Sequence, residues 1–431
     1  MKSLNVTLEL NTPFFSKGSG DEIEFRLSSF KGVLRYWWRA IYNDYTDLKQ
    51  LRNDEAEIFG SSDQNIGQSK IFLSSKIIKK QTSNMARFSR NSESYGIKYL
   101  GYTFPLPQNN WTKYFKEFVV EIKIYHNLKG EEVKFLSLIN ALKAFNYFGG
   151  FGARSRRGFG SFNIVKITDE RDQDVFTPAN SKHELIEQIK VFCKDINLDK
   201  KAKMPQYSAL SNHTKIYLLE SNTDPYELMN SIGVKFQLYR SWGRKDKNFQ
   251  NQHMVNKNPA EQNFKSDHSL VKSFYNNYKI NQHGYPNRII FGLPHNYFTS
   301  KQIDNIDFKK EYPNFEKLMK SLNLKITSDN VDRRASPLMI KIYKLKSEYV
   351  AVCILIKADF IPDNNRLIYT GKFKIKPNTR SKEIGKIINE NASTIYSGVD
   401  WNVITTFIEG NYMEKGIPKK RKRFPDYQKV Y

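Results

Sequence analysis

Gly149-Gly150-Phe151-Gly152-Ala153-Arg154-Ser155-Arg156-Arg157-Gly158-Phe159-Gly160 is the stretch on which the reading of this chain turns. It sets three arginines on a backbone that glycine leaves free to take positive φ and to approach a neighbour closely. Consecutive N–H groups in such a loop form a concave anion site, and arginine adds forked donors that match phosphate oxygens. Upstream lies a helical pattern, Lys134 to Phe148, and downstream a strand, Ser161 to Ile167. Further upstream, Glu117 to Tyr125 and Ile71 to Ile77 alternate as strands. A helix capped by Ser28 or Ser29 runs through Arg39 to Tyr42, and Leu4 to Leu10 alternates as the first strand. The order β-α-β-β-α-β predicts an α+β chain with a ferredoxin-like, or RRM-like, sandwich over residues 1–168.

Outside that sandwich the patterns are less regular. Lys79 to Lys98 is basic and serine-rich and reads as a mobile insertion, and residues 169–209 read as a linker or decoration with one amphipathic piece, His183 to Phe192. A second domain is expected over 210–431. Its strands are read at Lys215 to Leu219, Arg288 to Gly292, Leu338 to Tyr343 and Tyr349 to Lys357, the last one central. Helices are expected at Glu227 to Trp242, Ser381 to Asn391 and Val399 to Ile408. A polar insertion covers about 243–287, and Lys415 to Arg423 reads as a basic tail. Whether the second domain duplicates the first is left open by the residues alone.

The chain has 431 residues and a formal net charge of +25, from 69 Lys+Arg against 44 Asp+Glu. The excess is spread along the chain and favours a polyanionic partner, nucleic acid first, with binding that weakens steeply in salt. The plain alternative is a solvated basic surface. The two cysteines, Cys193 and Cys353, are far apart, so neither a disulfide framework nor a cysteine zinc site is expected. The first residues contain no hydrophobic signal region and no apolar run reaches the length of a membrane span. A soluble cytoplasmic protein with no membrane partner is expected.

Two motifs carry candidate contacts. In Ser28-Ser29-Phe30-Lys31-Gly32-Val33-Leu34-Arg35-Tyr36-Trp37-Trp38-Arg39-Ala40, helical spacing puts Lys31, Arg35 and Arg39 on one face, with Leu34, Trp38 and Ile41 toward the core. Three like charges in a row repel unless an anion sits beside them. A phosphate is one such anion; a solvated cationic face over a tryptophan core is the alternative. In the glycine loop, Gly150, Gly152, Arg154, Arg156, Arg157 and Gly158 are the candidate polyanion contacts, against a helix C-cap and turn that would explain the glycines without the arginines. A dinucleotide fingerprint fits poorly, because the loop follows a helix and lacks the third glycine. A third cluster, Arg288 to His295 with Asp332 to Pro337, reads as strand punctuation and a charged loop. The 7 histidines, at 126, 183, 213, 253, 268, 283 and 295, show no metal-ligand spacing. No nucleophile elbow or Walker loop is present. Neither cofactor, metal nor catalytic residue is expected.

Together these motifs resemble the RAMP superfamily of CRISPR–Cas proteins, and within it the subunit at the head of type III-B (Cmr) RNA-targeting complexes. The residues that carry the resemblance are Thr12 to Phe15, Phe30 to Arg39, Ile58 to Ser61, Gly67 to Ser69, the loop at 149–160, Phe291 to Pro294 and Arg333 to Pro337. The resemblance implies tandem ferredoxin-like folds with long insertions. It also implies a non-catalytic role, with contacts to guide RNA near its 3′ end, to target RNA and to other Cmr subunits. Carried over, Lys31, Arg35, Arg39, Arg154, Arg156 and Arg157 are the RNA contacts, and Phe151 or Phe159 either stacks a base or anchors the loop. The stretch at 243–287 and the basic tail depart from a compact family member. Two other readings stand beside this one: a metal-independent endoribonuclease using a histidine, and a scaffold that grips neighbouring subunits with little RNA contact.

Overall fold

Leu4, Val6, Leu8 and Leu10 alternate along β1 (Lys2–Leu10) and are all buried, the pattern of a strand with one face on a core. In this computed structural model the described residues are 2–18, 22–62, 67–84, 94–102, 104, 113–128, 130–241, 254–255, 258–261, 263–267, 270, 285–299, 321–329, 333–361, 365–374, 382–389, 398–412 and 421–431. After β1 come α1 (Leu27–Ile41), α2 (Leu48–Phe59), β2 (Ile71–Asn84), α3 (Tyr95–Leu100), β3 (Lys113–His126), α4 (Glu132–Phe148), β4 (Phe162–Thr168) and β5 (Asp174–Phe176). The sheet order is β2-β3-β1-β4-β5 with antiparallel pairs throughout. The first four strands with α1 and α4 give the ferredoxin-like arrangement expected from the sequence.

Local details differ from expectation for identifiable reasons. No serine caps α1: extended Arg26 is its N-cap, without a side-chain hydrogen bond. Phe25, just before the cap, packs on Phe30, four residues into the helix, and this hydrophobic staple fixes the entry. The segment read as an insertion from Lys79 continues β2 to Asn84, paired with β3. Bulges at Ile77/Lys79 and Gln81/Thr82 hide its alternation. Residues 85–93 lie outside the described set, and Tyr95–Leu100 is helical. The stretch read as a linker after 168 supplies β5 and α5 (Lys182–Asp195), whose Leu185, Ile189, Phe192 and Cys193 join the first core.

The chain then repeats its own topology. β6 (Lys215–Asn222), α6 (Pro225–Arg240), β7 (Leu338–Lys344), β8 (Tyr349–Leu355) and β9 (Gln428–Lys429) follow, and the four strands form a sheet in the order β7-β8-β6-β9. That is the order of β2-β3-β1-β4, again antiparallel. The tandem ferredoxin-like fold is therefore present, with residues 238–337 and 358–422 inserted in the second copy. Contacts divide the chain into one compact unit of residues 1–237, 338–357 and 423–431, which holds both of these sheets, and a second of residues 238–337 and 358–422. This division differs from the expected 1–168, 169–209 and 210–431. Of the expected tail, residues 415–420 lie outside the described set; Arg421 and Lys422 are exposed, Arg423 and Phe424 are buried, and Gln428–Lys429 pairs with β6.

The second unit contains the strands His295–Thr299, Ser321–Ser328, Leu367–Lys374 and Lys382–Asn389 in one antiparallel sheet, and the helix Asn402–Glu409. Ser381 to Asn391 was expected as a helix. Its isoleucines are β-branched and Gly385 interrupts them, both of which disfavour a helix, and Leu367–Lys374 offers a ladder. Arg288 to Gly292, expected as a strand, is a 3-10 turn over Asn287–Phe291. Buried Asp267 holds its start by accepting from the Asn287 and Arg288 N–H groups at 2.8 and 2.9 Å. Most of the 243–287 stretch and Asp332 lie outside the described residues.

Candidate nucleic-acid interface

The twelve-residue loop is held by its own protein before any ligand is considered. Phe151 N–H donates to Gly160 O, Ala153 N–H to Phe15 O, Gly160 N–H to Pro13 O and Arg157 N–H to Arg154 O, at 2.8 to 2.9 Å. These four N–H groups are therefore spent inside the fold, and the anion-binding nest expected from the glycines is not formed by them. The glycines serve close approach instead. Gly152 has φ +88° and Gly160 φ +56°, and a Cβ at either would overlap a backbone oxygen, Phe15 O or Phe151 O respectively. Phe151 and Phe159 are buried: Phe151 packs on Phe14 and Phe25, Phe159 on Phe15 and Phe104. They anchor the loop, and the base-stacking alternative for them is set aside.

The arginines project from this fixed backbone onto aromatic rings. Arg154, itself at φ +60°, lies 4.8 Å over the ring of Tyr102. Arg156 lies 5.5 Å over Tyr36 of α1 and donates to its hydroxyl at 3.4 Å, so the loop and α1 meet here. Arg157 lies 4.6 Å over Phe236 of α6. Cation–π contact of this kind fixes a guanidinium by its face, and Nη1 of Arg157 is buried. Tyr102 is 58% exposed. Its position follows from the docking of α3 on α6 through Gly96 and Gly233, where Gly96 N–H donates to Asn230 Oδ1 at 2.9 Å. Sequence reasoning did not single out Tyr36, Tyr102 or Phe236; in the sequence they lie far from the loop.

The cationic stripe on α1 forms as expected, but the chain supplies its anion. Arg35 Nε and Arg39 Nη1 both bond Oε1 of Glu55 on α2, the latter at 3.0 Å. Glu55 is 4% exposed, while each guanidinium side chain is 39% exposed. Lys31 donates to Ser69 Oγ at 2.7 Å and to Ile71 O at 3.4 Å. Burial, and then the charge of Arg35, hold its ammonium below the usual lysine range. Leu34, Trp38 and Ile41 face the core as expected, joined by Phe30 and Trp37.

A second strut under the loop was also missed. Lys341 of β7 is buried, and its Nζ donates to Phe145 O at 3.0 Å and to Phe162 O at 2.6 Å. Burial drives its ammonium well below the usual lysine value. Beside it, Ile340 N–H donates to Arg156 O and Ile342 N–H to Ser161 Oγ, both at 3.1 Å.

The described histidines have other surroundings. His126 is buried against Phe135, His183 is exposed on α5, His213 Nε2 contacts Ala202 O at 2.8 Å, and His295 packs on Tyr297. His253, His268 and His283 lie outside the described residues. Among the described residues no three His, Cys, Asp or Glu side chains gather as a metal site, and no helix is long and apolar enough to cross a membrane. In the third cluster, Leu293 and Arg334 exchange backbone hydrogen bonds at 2.8 and 3.1 Å, and the carboxylate beside Arg288 is that of Asp267.

A ferredoxin-like sandwich whose second helix runs into an arginine–glycine loop defines a class. Residues 7–163 match the RAMP superfamily. The chain is 30% identical over 180 residues to the CRISPR system Cmr subunit Cmr1-2 of Pyrococcus furiosus, a match covering 38% of this chain and 95% of that protein. The chain belongs to the RAMP superfamily, and within it to the Cmr1 subunits. The Cmr subunit Cmr1-1 of the same organism is 28% identical over 175 residues, 39% of this chain and 49% of that protein, so the match spans about half of that relative. The crystal structure of Cmr1 from Pyrococcus furiosus in its apo form has the same fold, with a TM-score of 0.51 at 17% identity over 100% of this chain and 99% of that one.

Proposed function

We propose that this chain is a non-catalytic RNA-binding subunit of a type III-B Cmr effector complex, contacting guide RNA near its 3′ end and target RNA. The observation that carries the reading is the loop itself. Three guanidiniums stand on a backbone fixed by buried phenylalanines and by its own hydrogen bonds, in a chain of net charge +25. Arg154, Arg156 and Arg157 are the principal contacts, with Gly150, Gly152 and Gly158 shaping the path of the backbone beside them. Lys31, Arg35 and Arg39 rank second: one carboxylate for two guanidiniums leaves net positive charge on α1, but its orientation serves α2. Gripping phosphates while base pairing reads sequence is the division of labour an RNA-guided complex requires. Its partners in this reading are guide RNA, target RNA and the other Cmr subunits.

The test is titration of labelled single-stranded RNA across a salt series with the full chain. Replacing Arg154, Arg156 and Arg157 by Ala together should lower affinity and flatten the log–log salt slope by about 2, at roughly 0.7 per single-strand phosphate contact. Unchanged affinity and slope would remove the assignment.

The scaffold reading has its own observation. β2 ends the first sheet and exposes Phe72, Ile77 and Ile78 at 47%, 49% and 54%, the kind of apolar edge that pairs with another chain. RNA crosslinking of the assembled complex separates the two, since a scaffold would return no crosslinked peptides from this chain. RNA cleavage abolished by one histidine substitution would instead favour an endoribonuclease.

A further inference from the structure

We propose that Lys341 is a positioning residue for the RNA-gripping loop: one buried lysine side chain ties the two stems of the loop together and sets the posture of its arginines. The inference rests on the RNA-binding reading of the loop and deepens it. Phe145, which accepts at 3.0 Å, lies in the last turn of α4, just before the loop; Phe162, which accepts at 2.6 Å, is the first residue of β4, just after it. The face of the Phe145 ring lies 5.3 Å from Nζ. Two Nζ–H donors thus have carbonyl acceptors, which offsets the cost of burying this polar group. Phe145 O also accepts from Gly149 N–H at 2.8 Å, so the lysine joins the bond that ends the helix. The carbonyl end of a helix carries partial negative charge, which favours a cation there.

The rest of β7 continues the grip. Ile340 N–H takes Arg156 O, and residues 157 and 340 form a parallel bridge. Ser161 Oγ accepts from Ile342 N–H and donates to Gly158 O at 3.0 Å. Asn163 exchanges hydrogen bonds with the Lys344 backbone at 2.8 and 3.2 Å. The strand therefore runs along the loop and its exit, and the Lys341 side chain spans entrance and exit together. An apolar residue of similar length would fill the space, yet leave the two carbonyls unlinked.

The experiment compares the full chain with Lys341→Met, the triple alanine variant at 154, 156 and 157, and their combination. Affinity for fluorescein-labelled single-stranded RNA is measured beside hydrogen exchange of peptides covering 145–163, β1 and β3. Lys341→Met is expected to lose on the order of tenfold affinity, the size of one charged contact, and to lose nothing further in the triple variant. Exchange should rise over 145–163 and stay unchanged in β1 and β3. A folded Lys341→Met that binds normally overturns the inference, as does an equal loss in both backgrounds or a uniform rise in exchange. If Lys341→Met does not fold, Lys341→Gln takes its place; it keeps a shorter N–H donor that cannot reach both carbonyls. Normal binding and normal loop exchange in a folded Lys341→Gln overturn the inference, and a loss confined to the intact-arginine background supports it. If the triple variant binds like the unaltered chain, the loop reading itself falls; if only Lys341→Met is silent, that reading stands and this inference fails.

Discussion

Glu55→Gln tests whether the α1 stripe is held by its own protein. Gln keeps an acceptor at the position of Oε1 and removes the charge. In the structure that oxygen takes both Arg35 Nε and Arg39 Nη1, and breaking a buried pair by removing one partner costs about 3–5 kcal/mol. Two features reduce the figure here: Gln still accepts a hydrogen bond, and each guanidinium is 39% exposed, so water solvates it again. Added back is the mutual repulsion of Lys31, Arg35 and Arg39, at about 0.2–0.5 kcal/mol per helical pair. The expected loss is about 2 kcal/mol, or roughly 4 °C in Tm for a unit of this size. Urea denaturation of the full chain measures it, in a cycle with Arg35→Gln. The two substitutions should be non-additive by about 1 kcal/mol, because either one removes the same contact. Because the change frees two guanidiniums, RNA affinity should hold or rise. A loss below about 0.5 kcal/mol, within the range of an ordinary surface change, or strict additivity, would refute the assignment of Glu55 as the anion of the stripe.

Two further outcomes follow from single positions. Gly160→Ala meets Phe151 O at φ +56°, whereas Gly67→Ala, at φ +75°, has nothing within 4 Å of its new carbon. Thermal melts should show about 1 kcal/mol lost at Gly67 from backbone strain alone and several times that, or failure to fold, at Gly160; equal losses would contradict the described close approach. His126 is buried and its Nδ1 finds no hydrogen-bond partner among the described residues, and burial lowers its pKa below the usual value. As pH falls through about 6.5 the unfolded chain takes up a proton that the folded chain resists. The stability of the unaltered chain relative to His126→Phe should therefore decline from about pH 6.5 downward and be constant above about pH 7.5; a difference independent of pH would show that the imidazole protonates freely in the fold.

The first ferredoxin-like copy was legible because each element carries its own pattern: β1 alternates, α1 and α4 present apolar faces, and the loop is marked by glycine. The second copy was not legible as one, because residues 238–337 separate β6 from β7, residues 358–422 separate β8 from β9, and both insertions carry strand patterns of their own. At Ser381 to Asn391, helical spacing of Ile384, Ile387 and Ile388 competed with a strand partner that only the fold supplies. The candidate cations were identifiable by residue type. Their partners were not, since Glu55 lies 20 residues from Arg35 and Lys341 lies 196 from Phe145. The fate of Phe151 and Phe159, exposed platform or anchor, depended on Phe14, Phe15 and Phe104, which meet them only in the folded sheet.

The segmented make-up of the first compact unit bears on how the protein is born. Arg157 leaves the ribosome roughly 180 residues ahead of Lys341, a delay on the order of 10–40 s at typical synthesis rates. During that interval the nascent arginine loop lacks its brace, and any fragment ending before residue 338 stays in that state for good. Competence to hold a polyanion would then arrive late in translation, after the first sandwich has closed and once the second has threaded its strand beneath the loop.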